Sequence, residues 1–434
     1  MKTPNLQEIF DAADKDLRAN TAYPVFREEF RVYEDAFADL FDGVSALSFY
    51  IHVPFCRQLC SFCEYTRFLA GNECDESRYL ALVENQADEF IRQHPQIKTL
   101  CGFDIGGGTP TALSDANFRA LLDLQQKIES GFSLVGDFEK SIEISPSTVS
   151  EEKLRMIYAG GFRRVSTGLQ SVNKALMRNL NRYYTSLDEV VRAREFAGEL
   201  GIREFNVDLM YGLPGQNEET IDETLKAVSV VHPEQVTLYE TRYNNNKISS
   251  AGISRDIQYA QYRRLYAGLS ALGYRGKFGQ NTFSNDNSSG LSSYLKYRMH
   301  RCVPYKGFGI AAQSMSLRGL AYNALKDTNA KKLPAAINLN DGDTYRLPRE
   351  EIAAKYIGIA MYSGSFRLDT LREILGEDPQ IFFAREIRFL TERNIMQKCG
   401  DTMFFTEYGF RFYGAAAALF WSDAQKARLL REAE

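Results

Sequence analysis

The sequence predicts an α/β protein: a partial (β/α)6 TIM-like barrel with an N-terminal helical extension and a C-terminal mostly helical, winged-helix-like domain. Three observations predict it. From Ala46 to Tyr239, apolar strand-like runs alternate with amphipathic helical runs, a pattern that implies parallel strands joined by helical crossovers. The residue types that carry chemistry fall where those strands end, the face on which barrels place their sites. A length of 434 residues suffices for a barrel with additions at both ends. The expected division is 1–45, helical extension; 46–245, partial barrel; 246–345, barrel completion and loops; 346–434, C-terminal helical domain.

In chain order, Leu6, Ile9 and Phe10, then Phe26, Phe30, Tyr33 and Phe37, recur at helical spacing, and Tyr23-Pro24 breaks the run into two helices. Strands are expected at Leu47–Val53, Thr99–Ile105, Glu139–Ile144, Arg163–Leu169, Glu204–Leu209 and Gln235–Tyr239. Helices are expected at Glu76–His94, Ser114–Ile128, Glu151–Ala159, Leu187–Leu200, Glu218–Val230 and Ile257–Leu272. Gly160-Gly161 stops the third of these, and Ser186 with Glu189 has capping-box spacing at the start of the fourth. Residues 276–304, rich in Asn, Ser and Gly, read as a loop, Lys306–Ala312 as a glycine-containing turn, and 326–345 as a linker. From Pro348 the pattern gives three helices, a hairpin around Gly400-Asp401, and a final helix over Glu407–Trp421.

Composition narrows the function. Hydrophobic residues are 44% and charged residues 25%, as in ordinary globular proteins, and the formal net charge of -4 gives no basic footprint for nucleic acid or an anionic membrane. No apolar run is long enough to span a bilayer, and the polar, acidic stretch Met1 to Asp16 is no secretory leader. Seven cysteines, three clustered and four scattered, are not a disulfide framework, so a reducing cytoplasm is expected.

The three clustered cysteines lie in Cys56-Arg57-Gln58-Leu59-Cys60-Ser61-Phe62-Cys63, just after the first strand. Pro54 cannot continue a sheet ladder, so the thiols sit on a loop at that strand's C-terminal end. Three thiolates on a 4Fe-4S cluster leave one iron free to bind a small molecule. Zinc is the second reading, although a fourth ligand is wanted and Glu64 and Tyr65 come next; buried structural thiols are the third. The glycine run Gly106–Gly108 ends the second strand and lets a ligand approach the backbone. Glu143, inside the apolar strand Ser-Ile-Glu-Ile, either meets a partner such as an ammonium group or faces solvent. Gln170 and Asp208 end the fourth and fifth strands, and Arg182 follows the fourth, placed to pair with a carboxylate. Together with an open cluster these groups suggest a zwitterionic, nucleotide-like ligand.

These stretches carry a resemblance. Tyr50-x-His52-x-Pro54-Phe55-Cys56, Gly106-Gly107-Gly108-Thr109-Pro110-Thr111, Glu143, the run Gly161–Gln170 and the run Asp208–Gln216 are similar to the motifs of radical S-adenosylmethionine enzymes, more narrowly the oxygen-independent coproporphyrinogen III oxidase family. The match is strong over about residues 46–240 and looser to about 420. It implies that Cys56, Cys60 and Cys63 hold a 4Fe-4S cluster, that Phe62 lies against the adenine of S-adenosylmethionine, and that Gly107, Gly108 and Thr109 contact its methionyl end. Tyr50, Glu143, Gln170, Arg182 and Asp208 match the polar binders. Gly307-Phe308-Gly309 resembles a late glycine turn near a second ligand. An electron from the cluster then cleaves S-adenosylmethionine to methionine and a 5′-deoxyadenosyl radical inside an enclosed barrel.

The resemblance implies an enclosed small-molecule substrate and a low-potential electron donor such as flavodoxin or ferredoxin. It leaves the outcome open among relatives. The first expectation is methyl or methylene transfer with a second S-adenosylmethionine. The alternative is a porphyrin- or haem-directed enzyme, or a haem chaperone. The coproporphyrinogen oxidases carry a further cysteine two residues after the third cluster cysteine, where this chain has Tyr65, so that decarboxylation is not expected.

Overall fold

The computed structural model describes residues 5–19, 23–24, 27–34, 39–183, 185–243, 248–288, 290–325 and 332–433. Phe26, Phe37, Ser289 and residues 326–331 of the expected linker lie outside them. Six parallel strands form the body: β1 (Ala46–Val53), β2 (Thr99–Gly107), β3 (Ser141–Ile144), β4 (Arg164–Gln170), β5 (Glu204–Tyr211) and β6 (Gln235–Glu240), hydrogen-bonded in that order. The fold is the expected α/β partial barrel. Its crossover helices are Glu73–Gln93, Asp115–Glu129, Glu151–Ala159, Leu187–Leu200 and Glu218–Val231. Side-chain caps start them: Asn72, Ser114, Ser150, Ser186 and Asn217 each accept a backbone N–H of the first turn.

The two faces of the sheet differ in chemistry. Phe49 of β1 and Phe103 of β2 pack with Phe90, Phe132 and Phe308 on the face that the helices cover. On the other face the strands carry a polar network. Asn206 donates to Ser166 and Asp208, Thr237 donates to Asn206, and Arg164 donates to Ser141 and Gln235. An inner face lined this way is a site rather than a core.

The sheet extends further than the sequence suggests. Beyond β6 lies the antiparallel strand Thr282–Ser284, and beyond β1 come Tyr305–Phe308, parallel to it, then Gln313–Ser316, Gly319–Tyr322 and Thr344–Arg346. The expected loop 276–304 thus holds a strand and a helix, Ser293–Arg301, and the expected turn at Lys306–Ala312 begins as a strand. Their shortness and their Asn, Ser and Gly content hide them, because the pairing is supplied by distant strands.

At the N-terminus the helix Leu6–Lys15 forms as expected, while the second expected helix is a 3-10 segment, Arg27–Tyr33. The expected final helix Glu407–Trp421 is instead two short helices, Glu407–Phe410 and Tyr413–Ala418, and the last helix is Asp423–Ala433. The break follows from close packing: a Cβ on Gly409 would lie 1.8 Å from the Ile395 carbonyl oxygen, and one on Gly414 1.9 Å from that of Ala19. The hairpin Met396–Cys399/Thr402–Phe405, joined by Ser365–Arg367, with helices around it gives the C-terminal part its winged-helix-like form. Among the described residues no helix is long and apolar enough to cross a membrane.

Candidate functional site

The site lies at the C-terminal ends of β1 to β5. Just past β1, Phe55–Cys56 pairs with Phe68–Leu69, closing the cysteine loop between them. Backbone contacts hold this loop. The Ser61 N–H donates to the Leu180 carbonyl (2.9 Å), Asn181 donates to that of Leu59 (2.8 Å), and buried Arg67 donates to the carbonyls of Cys60 (2.6 Å) and Tyr65 (2.9 Å). Cys56 and Cys60 are buried and Cys63 half-buried, all as free thiols. Burial pushes the Cys56 thiol up to about 12 and raises that of Cys63, and neighbouring thiols add to both effects.

The glycine run docks against this loop. The N–H groups of Gly108 and Thr109 donate to the carbonyls of Val53 (2.8 Å) and Phe55 (2.7 Å). A Cβ on Gly108 would sit 3.0 Å from the Cys56 sulfur, and one on Gly107, at φ +112, 2.2 Å from the His52 ring. Glu143 accepts the Gly107 N–H at 2.9 Å. Its carboxylate borders the open interior of the barrel while protein surrounds that space, and burial pushes it up to about 7. Glu143 thus has a backbone partner in the Gly107 N–H while its side chain stays accessible. Asp208 accepts from Asn206 (2.7 Å) and lies near Ser166; burial raises it to about 6.

Gln170 ends β4 at φ +64, where the β4–β5 register shifts, and its amide crosses Gly168. Arg182 donates to the Gly168 carbonyl and approaches the Cys60 sulfur at 3.5 Å. Phe62 packs on Leu176, Met177, Leu180, Met210 and Leu213, an apolar patch separate from the main core. Tyr50 stacks on Tyr294, ring centroids 5.7 Å apart. The structure thus sets Gly108, Thr109 and Arg182 against the cysteine sulfurs and Phe62 on the same loop, with Tyr50, Gly107, Glu143, Gln170 and Asp208 on the strands β1 to β5 that end beside it. It does not open the Gly307-Phe308-Gly309 turn to a ligand: a Cβ on Gly309 would lie 2.2 Å from the Tyr79 hydroxyl oxygen, and one on Gly307 2.5 Å from the Gln313 carbonyl oxygen. Those glycines serve packing.

Several lining residues escaped the sequence reading. Asp104 accepts from Ser292 (2.7 Å) and from the Ser141 N–H (3.0 Å), and burial lifts it to about 6. Arg164, buried below it, was legible as a charge inside a strand, the same signal that marks Glu143. Tyr65 and Tyr239 are 54% and 37% exposed, yet protein surrounds both, so they line the interior space. Arg242 pairs with Glu64 at 2.8 Å beside Tyr65. Arg298, on the helix Ser293–Arg301, faces the same space in a stretch that reads as loop.

A 4Fe-4S cluster fits this donor set. Three free thiols share one pinned loop, and the missing side chain of Gly108 leaves room beside the Cys56 sulfur, where a Cβ would lie 3.0 Å away. Among the described residues no three Cys, His, Asp or Glu side chains meet at one ion position. A cube does not require that, since its three thiolates bind three different irons.

Comparison with known proteins agrees. Residues 50–228 match the model of the Radical SAM superfamily. Coproporphyrinogen III oxidase, anaerobic 1, of Cereibacter sphaeroides is 31% identical over 73% of this chain and 72% of its own. Heme chaperone HemW of Bacillus subtilis (strain 168) is 25% identical over 83% of this chain and 96% of its own. Other curated relatives are matched over only about half their length. The solved coproporphyrinogen III oxidase (HemN) of Escherichia coli superposes over 87% of this chain and 90% of that one with a TM-score of 0.70, at 23% identity. The chain belongs to the radical S-adenosylmethionine superfamily, within the family of oxygen-independent coproporphyrinogen III oxidases and their haem-chaperone relatives. Membership implies a 4Fe-4S cluster and S-adenosylmethionine.

Proposed function

We propose that this protein is a porphyrin- or haem-directed radical enzyme, and that its barrel encloses a tetrapyrrole above the cysteine loop. The observation that carries the reading is the aromatic, charged space formed by Tyr50, Tyr65, Tyr239, Arg242 and Glu143 beside Cys63, in a chain whose relatives are named for coproporphyrinogen and haem. Those relatives speak for this reading over methyl transfer with a second S-adenosylmethionine, and the packed Gly307–Gly309 turn lends no support to a second ligand there.

In this reading Cys56, Cys60 and Cys63 hold the cluster, which supplies the electron that cleaves S-adenosylmethionine. Glu143, beside the Gly107 N–H, receives the ligand's ammonium group, and Arg182, beside Cys60, receives its carboxylate. Phe62 backs the adenine on its apolar patch, while Gly107, Gly108 and Thr109 let the methionyl end lie against backbone. Tyr50, Gln170 and Asp208 complete the polar wall. Residues 46–245 carry the chemistry, 246–345 complete the enclosure, and 1–45 with 346–434 support it. The electron donor is a low-potential protein such as flavodoxin or ferredoxin, and the setting is cytoplasmic.

Tyr65 separates this protein from coproporphyrinogen decarboxylation, because a phenol does not replace a thiol as hydrogen donor or redox partner. The test is anaerobic incubation of the reconstituted protein with dithionite, S-adenosylmethionine and either haem or coproporphyrinogen III, with 5′-deoxyadenosine and tetrapyrrole products measured by mass spectrometry. A tetrapyrrole-dependent rise in 5′-deoxyadenosine with an altered tetrapyrrole is expected. Protoporphyrinogen formed at catalytic turnover would return the chain to the oxidases. A second reading, haem chaperone, has its own support in the relative matched over 96% of its length; stoichiometric haem retention with no tetrapyrrole-dependent cleavage would favour it.

A further inference from the structure

The strongest unexplained group is Arg298. It sits on the helix Ser293–Arg301, which crosses the inner face of the sheet so closely that a Cβ on Gly102 would lie 2.2 Å from the Tyr294 nitrogen. Its guanidinium lies over the rings of Tyr305 (4.8 Å) and Tyr294 (5.8 Å) and within electrostatic reach of Tyr65 and Tyr50. Its one hydrogen bond among the described residues is a long one, 3.5 Å, to the Tyr294 hydroxyl, and its Nε is buried with no partner. No carboxylate of the described residues lies within 4.0 Å of it, whereas Arg242, across Tyr65, has Glu64. Arg298 is half-buried, and a guanidinium whose Nε is out of water with no counter-charge nearby is costly to hold unless a ligand supplies one. The rings of Tyr305 and Tyr294, set edge to face, also limit the space in which the fork can swing, which lowers the cost of aligning it on a carboxylate.

We propose that Arg298 is the specificity-determining residue that binds a carboxylate of the substrate in the barrel interior. The proposal deepens the tetrapyrrole reading and rests on it: the substrate enters with one acid side chain toward the Ser293–Arg301 helix and its ring body against Tyr65. An acid group there completes the hydrogen bonding of Arg298, and an ester or alkyl group leaves it unpaired.

The test uses two probes of nearly the same shape, coproporphyrin III and its tetramethyl ester, titrated by absorbance into anaerobic, cluster-loaded protein. Wild-type protein binds the acid more tightly than the ester, by about tenfold to a hundredfold, the range for one charge-assisted interaction. Arg298→Gln loses that preference and Arg298→Lys keeps part of it, and iron content and melting temperature report whether each variant is folded. An Arg298→Gln protein that is folded, iron-loaded and still prefers the acid as wild type does overturns the assignment of Arg298 alone. So does a loss of S-adenosylmethionine affinity in place of acid preference. Wild-type protein that binds neither probe overturns the tetrapyrrole reading, and the assignment with it.

Discussion

At the scale of single residues, three carboxylates on the inner face of the sheet share one cation. Asp104, Glu143 and Asp208 surround a region in which buried Arg164 is the shared counter-charge, and burial lifts the three to about 6, 7 and 6. A protonated Glu143 is a poor partner for an ammonium group. S-adenosylmethionine affinity should therefore fall as pH drops through about 7, by up to about tenfold per pH unit for one coupled proton, and Glu143→Gln should flatten that profile. Equilibrium binding at pH 6 to 8 checks this. The same raised value means that the ligand-free fold binds a proton the unfolded chain releases between 4.5 and about 7. Unliganded wild type thus loses stability through that window as pH rises, and Glu143→Gln should show a higher melting temperature than wild type at pH 8 but not at pH 5. Alanine at Glu143 or Arg182 should abolish 5′-deoxyadenosine formation and leave iron content intact, while Cys56, Cys60 or Cys63→Ala should remove the iron. Changes at Cys74, Cys101, Cys302 or Cys399 should not.

The cysteine loop is an element without internal regularity, so its shape depends on its anchors. Arg67→Met strips the buried Cys60 carbonyl and the part-buried Tyr65 carbonyl of their donor, at about 1–3 kcal/mol for the buried one, and should lower both melting temperature and iron retention after gel filtration. Gly102→Ala forces the Ser293–Arg301 helix off the sheet and should destabilise the protein by about 1–3 kcal/mol, measured by denaturant unfolding. β1 to β6 and the main crossover helices between them were legible in the sequence because the units state their own boundaries: an apolar strand, a capping Ser or Asn and, at Gly160 and Gly201, a closing Gly. Cys56, Glu143 and Asp208 were legible because each is the wrong chemistry for the element that carries it. The strands from Tyr305 to Arg346 were not, since three or four residues acquire strand geometry only from a neighbour, and Arg298 was hidden with them. The run Glu407–Trp421 misled for the opposite reason: its local pattern is helical throughout, and contacts at Gly409 and Gly414 with remote backbone cut it.

For the molecule as a whole, the two ends of the chain are joined. Phe10 packs against Phe389 and Phe412, Tyr23 against Trp421, and Asp14 pairs with Arg411. Arg255 ties this assembly to the barrel, pairing with buried Glu240 at 2.7 Å and donating to the carbonyls of Asp16 and Ala19. Arg255→Met leaves Glu240 buried without its cation and should cost about 3–5 kcal/mol, with faster limited proteolysis near Ala19. The placement of β1 has a further consequence, one of timing. Its edge away from β2 is filled by Tyr305–Phe308, a strand that leaves the ribosome about 250 residues later, or roughly 10–50 s at ordinary synthesis rates. Throughout that interval the nascent chain displays the strand leading into the cysteine loop with one side unpaired. The thiols are translated long before the wall beside them exists, so for that interval the cysteine loop hangs from a strand whose free edge is open to pairing with another chain.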